Sequence, residues 1–172
     1  MRFLAAIGAL AIVIGIGAAA FFFGGYYNVA GTAADPAPVT WALTRVRVAS
    51  INRHANDSPP ASFGDAAMVQ AGAKAYAAFG CATCHGAPGV MWLKLSEGMH
   101  PYPPDLKKVA ADLSPAQLFW IVKNGINMTG MPSFAEAGAT DNEICSIAAF
   151  VKKLPSGVSD ADAQKRAMAR IG

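Results

Sequence analysis

One pentapeptide constrains this chain more than any other feature: Cys81-Ala82-Thr83-Cys84-His85. Two thiols three positions apart, with an imidazole directly after them, admit few chemistries. A redox dithiol uses the C-x-x-C pair, but its usual setting is a βαβ unit, and no strand pattern is evident in the sequence. A zinc site needs two further ligands. Only Cys145, His54 and His100 remain, and none forms a second C-x-x-C or a paired-histidine arrangement. The third chemistry uses all three side chains. Each thiol adds to a vinyl group of one porphyrin, and the histidine is then held under the iron. On this reading one covalently attached haem c is the expected cofactor, bound through Cys81, Cys84 and His85.

The opposite face of such an iron calls for a second ligand, and the segment Asn124 to Phe134 supplies a candidate. Met131 sits between Gly130 and Pro132, outside any helical register, so its thioether can be aimed inward. A soft sulfur favours reduced iron, and His/Met ligation raises the potential. Met128 is the rival three residues earlier. His100 is a further candidate, restricted in its backbone by Pro101. The metal ligands expected are therefore His85 and Met131.

The surrounding pattern is helical. Gly64 to Phe79 reads as a helix with Asp65 as its cap, and Met68, Gly72, Tyr76 and Phe79 recur at helical spacing. Gly72 costs about 1 kcal/mol of helix propensity relative to alanine, which predicts close approach by another helix. Gly86 to Asp112 is a long loop with prolines at 88, 101, 103 and 104. Such a loop needs a packing surface, and a porphyrin offers one. Trp92, Leu93, Leu95, Tyr102 and Leu106 are candidates for the pocket wall, with ordinary core packing as the alternative for each. A ligating histidine donates its other ring N–H to a fixed acceptor, and the carbonyls of Pro101 to Pro104 are the candidates. Ser114-Pro115-Ala116-Gln117 starts a second helix that Gly125 ends. Thr140 to Glu143 is another capping box, followed by Ile144, Ile147, Ala148, Val151 and Leu154 on one face. Lys152 and Lys153 suit the last turn of that helix, Pro155 and Gly157 stop it, and a polar helical tail follows.

The chain begins differently. Phe3 to Phe23 is 21 uncharged residues, about 31 Å as a helix at ~1.5 Å per residue, close to the ~30 Å hydrocarbon core of a bilayer. Phe21, Phe22, Phe23, Tyr26 and Tyr27 suit a membrane–water boundary. A cleaved signal peptide ending near Ala18-Ala19-Ala20 is the competing reading, but the run is longer than a signal core. Ala11, Gly15 and Ala19 form a small-residue ridge that suits a neighbouring helix or reflects composition alone. Asn28 to Pro38 reads as linker. Thr40 to Ala55 interleaves apolar residues with three arginines without one clean stripe, so a short helix there lies near headgroups or against the following domain. His54 reads as a solvated residue. The expected organisation is a transmembrane anchor over 1–27, a linker with a short helix over 28–62, a haem domain over 63–157 and a polar tail over 158–172.

Charge identifies no partner. Residues 63–172 hold ten basic and nine acidic side chains, and with no basic stripe a nucleic-acid partner is not implied.

Helix, C-x-x-C-H-G, proline-rich loop, helix, G-M-P-x-F, amphipathic helix: over about residues 63–155 this order resembles the class I c-type cytochromes, specifically the membrane-anchored bacterial mono-haem kind. The resemblance implies an all-α fold around one haem c, with a single N-terminal transmembrane helix before it. It implies that the first and last helices cross, with Gly72 and Tyr76 facing Phe150. It implies an electron carrier rather than an enzyme, tethered to the bacterial inner membrane with its haem domain in the periplasm. The partners implied are a membrane dehydrogenase, a quinol-oxidising complex or a terminal oxidase, in a complex of which this chain is a subunit. A haem peroxidase or gas-binding protein with a labile sixth ligand is the alternative. Relatives commonly carry a bulky aromatic near Cys145, and the small thiol here departs from that pattern.

Overall fold

The computed structural model describes residues 2–154. Pro155, Gly157 and the tail over 158–172 lie outside the described residues. The chain divides into two compact units, Met1–Ala34 and Asp35–Gly172.

The first unit is α1, Arg2–Phe23, followed by a turn. Among the described residues it is the one helix long and apolar enough to cross a membrane. Its aromatic end is ordered by ring contacts: Phe21 meets Phe22 edge-on at 5.4 Å, and Tyr27 lies 5.3 Å from Phe22.

The second unit holds α2 (Ala37–His54), α3 (Ala66–Ala78), α4 (Cys81–His85), a 3-10 turn (Lys94–Gly98), α5 (Leu106–Val109), α6 (Pro115–Asn124) and α7 (Asp141–Lys152). α7 is the hub: Ile144, Ile147, Ala148 and Ala149 are fully enclosed, and both α3 and α6 pack on it. Two capping boxes start α6 and α7. Ser114 Oγ accepts from Gln117 N while Gln117 Oε1 accepts from Ser114 N, and Thr140 with Glu143 repeats the arrangement. Asp65 occupies the cap position of α3 but makes no side-chain cap bond.

The α3–α7 crossing is close because Gly72 permits it. A Cβ there would overlap the carbonyl oxygen of Ser146 and come within 2.9 Å of Phe150 Cβ. Tyr76, one turn on, meets the Phe150 ring at 5.2 Å, tilted by 60°. Because the obstruction is backbone, no rotamer change relieves it. Gly72→Ala should cost about 3 kcal/mol of overpacking against about 1 kcal/mol of helix propensity regained. The expected net loss is about 2 kcal/mol, read as a lowered denaturation midpoint of the holoprotein.

Two features differ from expectation. The segment expected to carry a short helix carries an 18-residue one. Its apolar residues serve two sides, which hides the period. Ile51 is buried, Val39 and Leu43 are half-buried, while Trp41, Val46 and Val48 are exposed. α2 packs on α6, where Asn52 Oδ1 accepts from Gln117 Nε2 at 2.7 Å and the His54 ring stacks on Trp120. Lys152 also leaves the end of its own helix. Its Nζ donates to the carbonyls of Ala110, Ala111 and Leu113 at 2.9, 3.0 and 2.7 Å. It thereby satisfies the chain just after α5, which the helix-end reading of the sequence misses.

Candidate functional site

α3 runs through Phe79 and Gly80 into α4, so Cys81, Cys84 and His85 are presented within one short helix. Its end is held from α3: Tyr76 donates its hydroxyl to the carbonyl of Gly86 at 2.6 Å. Sequence periodicity placed Tyr76 in the core stripe and missed this bond. The available signal was that a buried tyrosine hydroxyl needs an acceptor.

None of the three cysteines forms a disulfide. Burial pushes the Cys81 thiol up to about 11, its backbone hydrogen bond opposing and the neighbouring Cys84 adding to the rise. A redox dithiol needs the opposite, a thiol lowered toward neutrality. No three His, Cys, Asp or Glu side chains converge on a metal-sized site among the described residues, which removes support from the zinc reading. Cys145 lies apart on α7, its thiol also raised by burial.

His85 Nδ1 lies 3.0 Å from the carbonyl oxygen of Pro104. A carbonyl can only accept, so Nδ1 carries the proton and Nε2 presents its lone pair. Burial lowers the pKa of His85, with the Pro104 bond opposing, so the ring is kept neutral, the form that ligates a metal. The acceptor falls within the proline run that the sequence nominated.

A cavity of about 360 Å³ opens at this ring, lined by Cys84, His85, Trp92, Ser96, Tyr102 and Pro104 among others. Of the five expected wall residues, Trp92 and Tyr102 line it. Leu106 packs against the helical core instead. Leu93 and Leu95 are exposed, as are Val90 and Met91. An apolar run of this kind on one loop, next to two thiols and an imidazole, suits an extended apolar group that would cover it. The residues present therefore fit a porphyrin.

The methionine segment follows α6. Ile126 N donates to Met131 O at 3.2 Å, Thr129 Oγ1 donates to Ile126 O at 2.7 Å and accepts from Met131 N at 3.2 Å. Ser133 Oγ donates to Lys123 O at 2.7 Å. Phe134 packs edge-on against Phe79, just ahead of the cysteines. Met131 is half-buried against the helical core. Met128 is 70% exposed at a positive φ of 59°, and His100 rests its ring 4.7 Å from Tyr102.

An all-helical domain with this order of elements and this thiol–imidazole motif defines a class I c-type cytochrome, and this chain belongs to that class. Residues 67–151 match the family described as cytochrome C oxidase, cbb3-type, subunit III. Neither curated proteins nor solved structures gave a match. The cofactor is covalently bound haem c, and the domain serves haem-based electron transfer.

Proposed function

We propose that this chain is a membrane-tethered one-electron carrier, in which Cys81 and Cys84 would link the haem and His85 and Met131 would hold its iron. The haem supplies one-electron exchange between ferric and ferrous iron. The protein's part is to keep both coordination positions filled. The observation that carries this reading is the anchoring of Met131, whose own N–H and C=O are both hydrogen-bonded within its loop. His85 matches it with one nitrogen fixed by Pro104. With His85 and Met131 both holding the iron, no position would be left there for a substrate. α1 is the tether, residues 1–27 the anchor, and the domain faces the periplasm of a bacterial inner membrane. The family description points to a terminal oxidase as partner, with this chain as a subunit of the complex.

Carbon monoxide added to the reduced holoprotein tests the ligation. The wild type should resist binding at neutral pH, and Met131→Ala should bind readily and lose the methionine-to-ferric-iron charge-transfer band. Immediate binding by the wild type would favour the peroxidase or gas-binding reading. Gentle detergent extraction should bring an oxidase down with the full chain, and an unaccompanied monomer would argue against the subunit assignment.

A further inference from the structure

We propose that Met99 is a positioning residue for the sulfur ligand, a role that rests on Met131 being that ligand. The loop after α4 touches both ligand-bearing segments within six residues. Pro104 accepts from His85, and five positions earlier Met99 lies on Gly130, the residue before Met131. A Cβ at Gly130 would come within 2.9 Å of Met99 Sδ, 3.6 Å of its Cε and 3.7 Å of its Cγ. No other atoms stand nearer, so the Met99 side chain occupies the space that a residue at 130 would otherwise fill.

Met99 is itself fixed back to the cysteine motif. Leu93 N donates to Thr83 O at 2.9 Å, within α4. Ser96 is buried and donates its hydroxyl to Leu93 O at 2.6 Å. Met99 N then donates to Ser96 O at 3.2 Å. A continuous line of contacts runs from Thr83 through Leu93, Ser96 and Met99 to Gly130, and so to Met131. The thioether of Met131 is neutral and has no N–H to donate, so it lacks the orienting hydrogen bond that fixes a histidine ligand. Its hold on iron therefore depends on the packing of its loop. Met99 supplies that packing with a flexible, polarizable side chain suited to an irregular gap.

The test is a packing exchange on the full-length holoprotein, read by the methionine charge-transfer band and by imidazole binding to the ferric form. Met99→Ala should weaken the band and tighten imidazole binding by about tenfold, or about 1.4 kcal/mol, a part of the cost of truncating a packed methionine. Met99→Leu should restore both. Gly130→Ala alone should push the Met99 sulfur aside, a shift a flexible side chain makes cheaply, and should weaken the band less than Met99→Ala does. The double variant Met99→Ala/Gly130→Ala should recover part of the band lost in Met99→Ala, the new methyl group filling part of the space that the sulfur vacates. A residue with a merely structural role would lower the melting temperature without moving the band or showing this rescue. If Met99→Ala melts earlier yet binds imidazole as the wild type does, the role is refuted. If Met99→Ala does not accumulate as holoprotein, Gly130→Ala against the double variant decides by the same criterion. Met131→Ala run alongside separates the two readings: an unchanged band there overturns the sulfur assignment itself.

Discussion

Replacing Cys81 and Cys84 together with alanine should abolish covalently held haem, leaving no pigment after acid–acetone extraction and no haem stain on a denaturing gel. The expected effect on folding is as large. The loop from Ala87 to Asp105 has little apolar packing of its own: Val90, Met91, Leu93, Leu95 and Tyr102 are all exposed. Its hydrogen bonds run back to the motif through Leu93 and Thr83 and through Pro104 and His85. A covalently attached group stays on the unfolded chain as well, so it stabilises the native state through the apolar surface it buries there against this loop. Its removal should therefore cost on the order of 5 kcal/mol, comparable with the whole stability of a small domain. Hydrogen exchange should show the loss concentrated between α4 and α5, with α3, α6 and α7 retaining protection longest. Cys145→Ala is the control: it lies on α7, away from the motif, and should keep its pigment. Haem stain surviving in the double variant would remove the thioether assignment.

What the sequence disclosed depended on the range of the interaction. The capping boxes at Ser114 and Thr140 were legible because cap and partner lie three residues apart. The α3–α7 crossing was legible through Gly72, whose cost inside a helix demands a reason, and through the family resemblance. The acceptor for His85 was legible as a short range, since a proline run offers carbonyls without competing N–H groups. The nominated residues Cys81, Cys84, His85 and Met131 stood out as motifs, but of the contacts around them only the His85 acceptor did. Lys152 reaches carbonyls some forty positions away, Met99 meets Gly130 across the haem loop, and the Tyr76 hydroxyl joins α3 to Gly86. None of these leaves a period or a spacing in the sequence. α2 escaped for a different reason. A helix with apolar residues on two sides has no stripe to find, even though both Ile51 and Trp41 were in view.

Gly125→Ala should detach the sulfur ligand while leaving the haem covalently bound. Gly125 ends α6 at φ 68° and ψ −170°, a region that only glycine adopts without a penalty of about 1–3 kcal/mol. The space is closed as well. A Cβ there would lie 2.5 Å from the carbonyl carbon of Pro132 and 2.7 Å from the carbonyl oxygens of both Met131 and Pro132. These are backbone atoms of the ligand residue and its neighbour, so the overlap is relieved only by moving the loop. Strain and overlap together should exceed about 3 kcal/mol, more than the bond from Ile126 N to Met131 O returns at about 1 kcal/mol. The loop should therefore give way, and with it the sulfur. The reduced variant should bind carbon monoxide as Met131→Ala does, and the ferric form should lack the methionine band. Gly138→Ala separates strain from position. Its φ of 90° is also positive, but a Cβ there meets nothing within 4 Å. It should lose stability with its spectrum unchanged. A Gly125→Ala protein that keeps the band and still excludes carbon monoxide would show that Met131 is held by something other than the end of α6.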